Sequence, residues 1–185
     1  MSFFLFFLLS LIVMTEVEVE VVVVRHGETD SNRLHTIQGH LDTPLSSVGL
    51  RQAESVAAYL AETKFSLAIS SDLKRALLTG QIIARANASL EESEIEQWGV
   101  LRERCFGELE GGEAQVMQEV VRGLNRDQIL AWGPQGGETG LEFRQRVRKL
   151  SSQIISLTQH FGLNVNQCFN HAEINPTCLG EEWKV

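Results

Sequence analysis

The first regular element that the chain predicts is a β-strand. Glutamate and valine alternate over residues 16–20, and residues 21–24 are all valine. Strict alternation is typical of a half-buried strand, whereas a continuous apolar run is typical of a strand covered on both faces. We therefore predict a strand that enters the interior of a sheet and ends at Arg25 and His26.

Helical and strand patterns then follow in alternation. A helix capped by Ser46 or Ser47 is predicted first, and a second short strand is predicted over residues 65–70. Ser71 is predicted to cap the next helix. The apolar positions of the two helices are Leu50, Ala53, Ala57 and Leu60 in the first, and Leu73, Leu77, Ile82 and Ile83 in the second. This order predicts an α/β fold, a three-layer α/β/α sandwich around a mainly parallel sheet.

The third predicted helix is the longest. Thr139 and Glu142 have the spacing of a capping box, and Gly162 stands where a C-terminal cap is expected. One stripe of the helix is apolar, formed by Phe143, Val147, Leu150, Ile154, Leu157 and Phe161. Residues 164–185 show no apolar period and include Pro176, so they predict no strand.

The two ends of the chain differ from the part between them. Residues 3–13 are apolar except for Ser10, a run too short to span a bilayer. No Lys or Arg precedes it and no small-residue cleavage site follows, so we interpret residues 1–14 as an apolar N-terminal extension. A signal or membrane-associating segment is the alternative. Residues 15–162 form the predicted domain, and residues 163–185 form a divergent tail.

Composition narrows the class of protein. The 185 residues carry 16 Lys+Arg and 24 Asp+Glu, a formal charge of −8, which argues against a nucleic-acid binder. The chain has three cysteines, without a CxxC pair, so neither a disulfide framework nor a zinc site is predicted. We expect a cytoplasmic protein with no membrane span.

The end of the first predicted strand carries the candidate chemistry. In α/β proteins, ligands bind at the carboxyl ends of parallel strands, which is where Arg25 and His26 fall. Gly27 lets the backbone approach an anion, Arg25 can bind phosphate oxygens, and the neutral imidazole of His26 can attack phosphorus. A structural histidine and a salt-bridged arginine at the sheet edge are the alternatives.

Several further motifs resemble one family. They are Arg25-His26-Gly27-Glu28 with Asn32; Gln38-Gly39 with Asp42, Pro44-Leu45, Gly49 and Gln52-Ala53; Ser70-Ser71-Asp72-Leu73 with Arg75 and Thr79; Leu101-Arg102-Glu103 with Phe106-Gly107 and Glu110-Gly111; and Gly136-Gly137-Glu138-Thr139. Together they resemble the histidine phosphatase superfamily, the phosphoglycerate mutase-like proteins. Within it, the run from Leu101 to Gly111 and Gly136 to Thr139 is most similar to the TIGAR-type fructose-2,6-bisphosphatases.

The resemblance implies a role for each matching residue. His26 would accept the phosphoryl group as phosphohistidine, and Glu103 would donate the proton to the leaving group. Phosphate and substrate would be bound by Arg25, Gly27, Glu28, Asn32, Gln38, Gly39 and Arg75. No metal or cofactor is implied, and the partner is a phosphorylated small molecule.

The proton donor is the assignment with most alternatives. We expect Glu103 to titrate above a free glutamate, because it must hold its proton for the leaving group. A solvated loop carboxylate is the alternative for Glu103, and Glu108 or Glu110 could take its role instead. For Arg75 the alternative is an exposed charge on a helix. Cys105 is interpreted as a plain loop thiol, and His35 and His40 as surface histidines.

The sequence departs from the family near its end. Members normally carry a second histidine, as His-Gly after a buried strand, whereas His171 lies in Asn-His-Ala-Glu without an apparent strand before it. We therefore expect the sheet to lack a late central strand, as in a truncated or alternatively spliced product, with weak stability and impaired activity.

Three functions remain open. The first is hydrolysis of a sugar phosphate, with fructose 2,6-bisphosphate converted to fructose 6-phosphate as the leading case, an activity that would regulate glycolysis. A phosphoglycerate mutase or broad-range phosphomonoesterase is the second. The third is a truncated, non-catalytic pseudophosphatase that keeps a residual anion pocket.

Overall fold

A computed structural model describes residues 20–161 and 166–171, with side chains described from residue 21 to residue 150 and at residue 153. The predicted extension of residues 1–14 and the tail beyond residue 171 lie outside the described residues. The elements are, in order, β1 (Glu20–Arg25), α1 (Asp30–Arg33), α2 (Ser47–Leu60), β2 (Leu67–Ser70), α3 (Lys74–Ala86), β3 (Glu96–Gln97), α4 (Ala114–Val121), α5 (Arg126–Ala131), α6 (Gly140–Phe161) and β4 (Asn166–His171).

The described strands form one parallel sheet in the order β1-β4-β2-β3. Val24 on β1 packs with Ala57 of α2 and Ile83 of α3 on one face. On the other face, Ile69 of β2 packs with Leu150 of α6. Helices therefore cover both faces, and the predicted three-layer α/β fold is confirmed.

The expectation that the sheet lacks a late central strand is wrong. Strand β4 lies between β1 and β2 and pairs with both, with Val22 and Ala68 each in register with Cys168. Its sequence, Asn-Gln-Cys-Phe-Asn-His, has no apolar period and no run of β-branched residues. Strand propensity depends on context, and hydrogen bonding to two flanking strands can select this conformation without a sequence pattern.

The first long helix begins as predicted and buries three of its four predicted apolar positions. The side chain of Ser46 accepts the N–H of Gly49 and caps α2. The buried positions are Gly49, Ala53, Ala57 and Leu60, whereas Leu50 is 37% exposed. A glycine thus takes the place at the inner face that the apolar pattern assigned to Leu50.

The capping box of α6 is confirmed. The N–H of Glu142 donates to Thr139 Oγ1 at 3.1 Å, and the N–H of Thr139 donates to Glu142 Oε2 at 2.8 Å. Phe143 and Leu150 of the predicted stripe are buried. Among the described residues, no helix is both long and apolar enough to cross a membrane.

Candidate active site

His26 follows the last residue of β1 and is buried, with 7% of its surface exposed. Its Nδ1 lies 2.7 Å from the carbonyl oxygen of Gly27. Because a carbonyl can only accept, Nδ1 carries the hydrogen and Nε2 carries the lone pair of the neutral ring. The ring is thereby held in the tautomer that a nucleophile at Nε2 requires.

The surroundings of His26 keep the ring neutral. Burial lowers its pKa from 6.5 to about 4, against the effect of the hydrogen bond to Gly27. The charges of Arg75 and Arg25 lower this pKa further. At neutral pH the imidazole is therefore uncharged although two cations lie near it, which is what attack on a phosphoryl group needs.

Arg75 lies on α3 and is 1% exposed, so the alternative of an exposed helix charge is wrong. Nη1 donates to the Leu41 carbonyl at 2.8 Å, and Nη2 donates to the Gly39 carbonyl at 2.9 Å. Its Nε is buried and has no hydrogen-bond partner among the described residues. A buried guanidinium N–H without an acceptor is suited to an anionic oxygen.

The turn that carries His26 is fitted closely against α2. A Cβ added at Gly27 would lie 2.3 Å from the carbonyl oxygen of Gly49, a distance that real atoms do not adopt. The glycine is thus needed for the backbone of the turn to approach the first turn of α2. Its predicted contact with phosphate stays a prediction.

Glu103 has the titration expected of a proton donor. Burial raises its pKa from 4.5 to about 7, although the N–H of Arg104 donates to Oε1 at 2.8 Å and so lowers it. Arg75, Arg146 and Arg25 lower it as well. The expectation of a raised pKa is confirmed. Since Arg75 and Arg25 affect both His26 and Glu103, these four side chains form one electrostatic cluster.

The two neighbouring glutamates have different surroundings. Glu108 is exposed. Glu110 Oε1 accepts the backbone N–H of His40 at 2.8 Å and of Phe106 at 2.9 Å. The carboxylate of Glu110 thereby joins two loops, which leaves Glu103 as the candidate acid.

Asn32 and Gln38 are oriented by the buried Thr29. The Oδ1 of Asn32 accepts the Thr29 N–H at 3.0 Å, and the Oε1 of Gln38 accepts the Thr29 hydroxyl at 2.8 Å. Thr43 also donates to that Gln38 oxygen, at 2.5 Å. With both amide oxygens engaged, each NH₂ group remains as a donor, the property that a phosphorylated substrate requires.

Gly39 and Glu28 hold the surrounding loops. Gly39 has a φ of +51°, a conformation that favours glycine, and its carbonyl accepts the hydrogen bond from Arg75. Glu28 accepts the hydroxyl of Ser46 at 2.9 Å, and its own N–H donates to Gln52 at 2.8 Å. These contacts fix the start of α2, while the predicted substrate contacts of both residues stay predictions.

Three other side chains were interpreted as plain surface groups. His35 is exposed, as expected. His40 is instead half-buried, and its Nε2 lies 2.9 Å from the Glu103 carbonyl, so it helps to position that loop. Burial raises the pKa of Cys105, and Glu110 and Glu138 raise it further, which fits an unreactive thiol.

The sequence around His171 predicts no site role for it. It is the last residue of β4, and its Cα is in register with that of Arg25 on the adjacent β1. A histidine therefore ends the neighbouring strand at the same sheet edge. The only sequence signal was its position after the long helix, because the strand before it has no apolar pattern.

Comparison with known families gives a clear result. The profile of the histidine phosphatase superfamily (branch 1) matches residues 21–163. This chain belongs to the histidine phosphatase superfamily. The match includes His26, Arg75 and Glu103, the residues that the structure brings into one cluster.

Individual relatives agree with this assignment. The chain is 36% identical to "Fructose-2,6-bisphosphatase TIGAR" of Xenopus tropicalis over 127 residues, 68% of this chain and 46% of that protein. It is 41% identical to "Phosphoglycerate mutase-like protein 4" of Arabidopsis thaliana over 125 residues, 65% of this chain and 53% of that protein. The chain thus spans about half the length of the curated relatives it matches.

Solved structures show the same fold. Phosphoglycerate mutase from Bacillus anthracis str. Sterne superposes with a TM-score of 0.74 at 26% identity, covering 87% of this chain and 78% of that one. A mycobacterial glucosyl-3-phosphoglycerate phosphatase in complex with VO₃ gives 0.71 at 25% identity, covering 88% and 80%. The phosphoglycerate mutase-like form of the predicted fold is therefore confirmed.

Proposed function

We propose that the chain hydrolyses a phosphate monoester through a phosphohistidine at His26. In the first step Nε2 attacks phosphorus, the bond from phosphorus to the ester oxygen breaks, and Glu103 gives its proton to the departing alkoxide. In the second step Glu103, now a carboxylate, takes a proton from water. The water oxygen attacks phosphorus, the P–N bond breaks, and neutral His26 and phosphate are released.

The observation that carries this proposal is the state of His26. A buried neutral imidazole, held through Nδ1, lies in the field of two arginines, one of which has a buried unpartnered N–H. Arg25 and Arg75 would stabilise the charge on the transferring phosphoryl oxygens. The phosphoryl group needs no metal or cofactor in this scheme, because two guanidinium groups supply positive charge.

Fructose 2,6-bisphosphate is the proposed substrate, and a role in glycolytic regulation in the cytoplasm follows from it. The similarity to "Fructose-2,6-bisphosphatase TIGAR" supports this choice. The similarity to "Phosphoglycerate mutase-like protein 4" supports the second candidate, a mutase or broad-range phosphomonoesterase. Both candidates use the same first step at His26.

We also propose that His171 is the second histidine of the site. The support is the register of β4, in which His171 pairs with Arg25 beside the strand end that carries His26. This proposal replaces the sequence-based view that the second histidine is missing. It also weakens the case for the non-catalytic pseudophosphatase, which depended on that absence.

The decisive experiment measures phosphate release from fructose 2,6-bisphosphate, several phosphoglycerates and other phosphomonoesters. His26→Ala should abolish release, whereas His35→Asn at a nearby exposed position should not change it. Brief incubation with ³²P-labelled substrate should label the chain in an acid-labile, alkali-stable form. Transfer of label to an added phosphoglycerate would identify a mutase. A folded chain that binds inorganic phosphate, but neither releases phosphate from any substrate nor becomes labelled, would establish the pseudophosphatase.

A further inference from the structure

Arg146 of α6 uses every hydrogen-bond donor of its guanidinium group. Nη1 donates to the carbonyls of Val100 and Arg102 at 2.7 and 2.8 Å, and Nη2 donates to that of Glu103 at 3.2 Å. Nε and Nη2 also donate to the two carboxylate oxygens of Glu138, at 2.7 and 2.6 Å. An arginine has five N–H donors, and all five are engaged here.

Glu138 extends this contact to the other side of Glu103. Its Oε2 accepts the N–H of Cys105 at 2.9 Å, in addition to the bond from Arg146. The pair therefore holds the loop at the carbonyls of residues 100, 102 and 103 and at the N–H of residue 105. The side chains of Arg146 and Glu138 are only 19% and 23% exposed, so water competes weakly for these bonds.

We propose that Arg146, hydrogen-bonded to Glu138, is a positioning residue that holds the carboxyl group of Glu103 where it can protonate the leaving group. The proposal rests on the function proposed above and adds a residue outside the phosphate-binding cluster. Arg146 acts through the backbone of Glu103, since its contact with that residue is to the carbonyl oxygen.

Lysine cannot replace Arg146 in this role. A lysine ammonium group has three donors at one point, whereas the five acceptors around Arg146 surround a planar fork. Arg146→Lys keeps the positive charge but must release part of the loop. The carboxyl group of Glu103 would then be more exposed to water, and proton donation would lose its alignment.

The test compares two substrates that differ in their need for an acid. The leaving group of glycerol 2-phosphate is an alkoxide, which needs a proton from an acid. The leaving group of p-nitrophenyl phosphate is a stabilised phenolate, which departs with little need for acid catalysis. The quantity measured is kcat/KM, which reports the steps up to formation of phosphohistidine. Arg146→Lys should lower kcat/KM for glycerol 2-phosphate at least about tenfold, a partial loss of the about 10²–10⁴-fold that general acid catalysis contributes. For p-nitrophenyl phosphate it should change less than about threefold.

The matched control is Arg148→Lys, the same change at an exposed position two residues along α6. Both rates should stay at the native level. Equal losses on both substrates in Arg146→Lys would overturn the proposal, because a merely less folded protein loses the same fraction of each activity.

A second measurement does not depend on turnover. The carboxyl group of Glu103 is titrated by ¹³C NMR in chain labelled at glutamate, with its signal assigned by its loss in Glu103→Gln. In Arg146→Lys the pKa of Glu103 should move from about 7 towards that of a free glutamate as water reaches it. An unchanged titration would overturn the positioning role. A native chain without His26-dependent release would instead overturn the proposed function, leaving this titration to decide the role of Arg146.

Discussion

Thr79 links the turn that carries His26 to the helix that carries Arg75. Its Oγ1 accepts the backbone N–H of Gly27 at 3.1 Å and donates to the carbonyl of Arg75 at 2.8 Å. Thr79 is buried at 1% exposure, so no water can replace either bond. One hydroxyl group therefore fixes the distance between the candidate nucleophile and the candidate phosphate-binding arginine.

We expect Thr79→Val to destabilise the protein by about 1–3 kcal/mol, because it leaves the N–H of Gly27 buried without an acceptor. Valine has nearly the same shape, so packing changes little. Thr79→Ser keeps the hydroxyl and should retain the N–H bond. Urea unfolding of the three chains measures the difference. A valine variant as stable as the native chain would show that the hydroxyl group is not needed to hold the turn.

The activity should show an acidic optimum. His26 must be neutral, which holds above about pH 4, and Glu103 must be protonated, which holds below about pH 7. On fructose 2,6-bisphosphate, kcat/KM should therefore fall about tenfold per pH unit well above pH 7. Glu103→Gln should lower kcat/KM by about 10²–10⁴-fold and lose the part of the alkaline limb that Glu103 causes. Ionisation of the substrate acts alike on both enzymes and cancels in the ratio of native to Glu103→Gln kcat/KM, so a ratio that stays constant above pH 7 would exclude Glu103 as the acid.

The same two groups make opposite contributions to stability. Unfolded chain protonates His26 near pH 6.5, whereas folded chain does so near about 4, so His26 destabilises the fold as the pH falls through this range. Folded chain protonates Glu103 near about 7 and unfolded chain near 4.5, so Glu103 destabilises the fold as the pH rises through that range. The two effects oppose each other between pH 4.5 and 6.5.

Single variants separate these contributions. His26→Gln keeps only the effect of Glu103, and Glu103→Gln keeps only that of His26. The Tm of His26→Gln minus that of Glu103→Gln should therefore fall steadily from pH 4 to pH 7. All other groups titrate alike in both chains and cancel. A difference that stays constant with pH would show that neither residue has a shifted pKa.

Local signals allowed much of the fold to be predicted. The predictions of strand β1, of the α2 cap and of the capping box at Thr139 and Glu142 depend on residues within four positions of each other. The valine run is not covered on both faces as predicted, since Val23 is 59% exposed. The residues of the cluster, His26, Arg75 and Glu103, could be predicted only from the resemblance to a family. On α3 the apolar pattern was misleading, because the buried positions include Arg75 and Thr79, which serve the site.

Long-range contacts could not be predicted. Strand β4 is specified by the two strands beside it, and its sequence gives no sign of this. The five acceptors of Arg146 are three carbonyls of one loop, at residues 100, 102 and 103, and the two carboxylate oxygens of Glu138, and the loop lies more than forty positions before Arg146 in the sequence. No spacing in the sequence encodes such a set.

The start of α3 is another such case. Ser71 was predicted to cap this helix, but the helix begins at Lys74, whose N–H donates to Asp42 Oδ1 at 2.7 Å. The ammonium group of Lys74 also lies 3.1 Å from Asp42 Oδ2. Asp42→Ala should lower the free energy of unfolding in urea by about 1 kcal/mol, the usual loss for a helix cap. Asp42→Asn should keep most of the native stability, because its side-chain oxygen can still accept the N–H of Lys74. If Asp42→Ala unfolds at the same urea concentration as the native chain, the cap has no energetic effect.

His171 offers the sharpest test of the strand that the sequence did not reveal. If β4 delivers this residue to the site beside Arg25, His171→Ala should lower His26-dependent phosphate release at least about tenfold, since removing one preorganised donor in an active site costs this much or more. The control is Asn166→Ala, at the other end of the same strand, where it pairs with Glu20. Cooperative unfolding of both variants, followed by circular dichroism, ensures that only folded protein is compared. Equal activity in the two variants would place the functional histidine elsewhere, because a general effect on β4 would not distinguish its two ends.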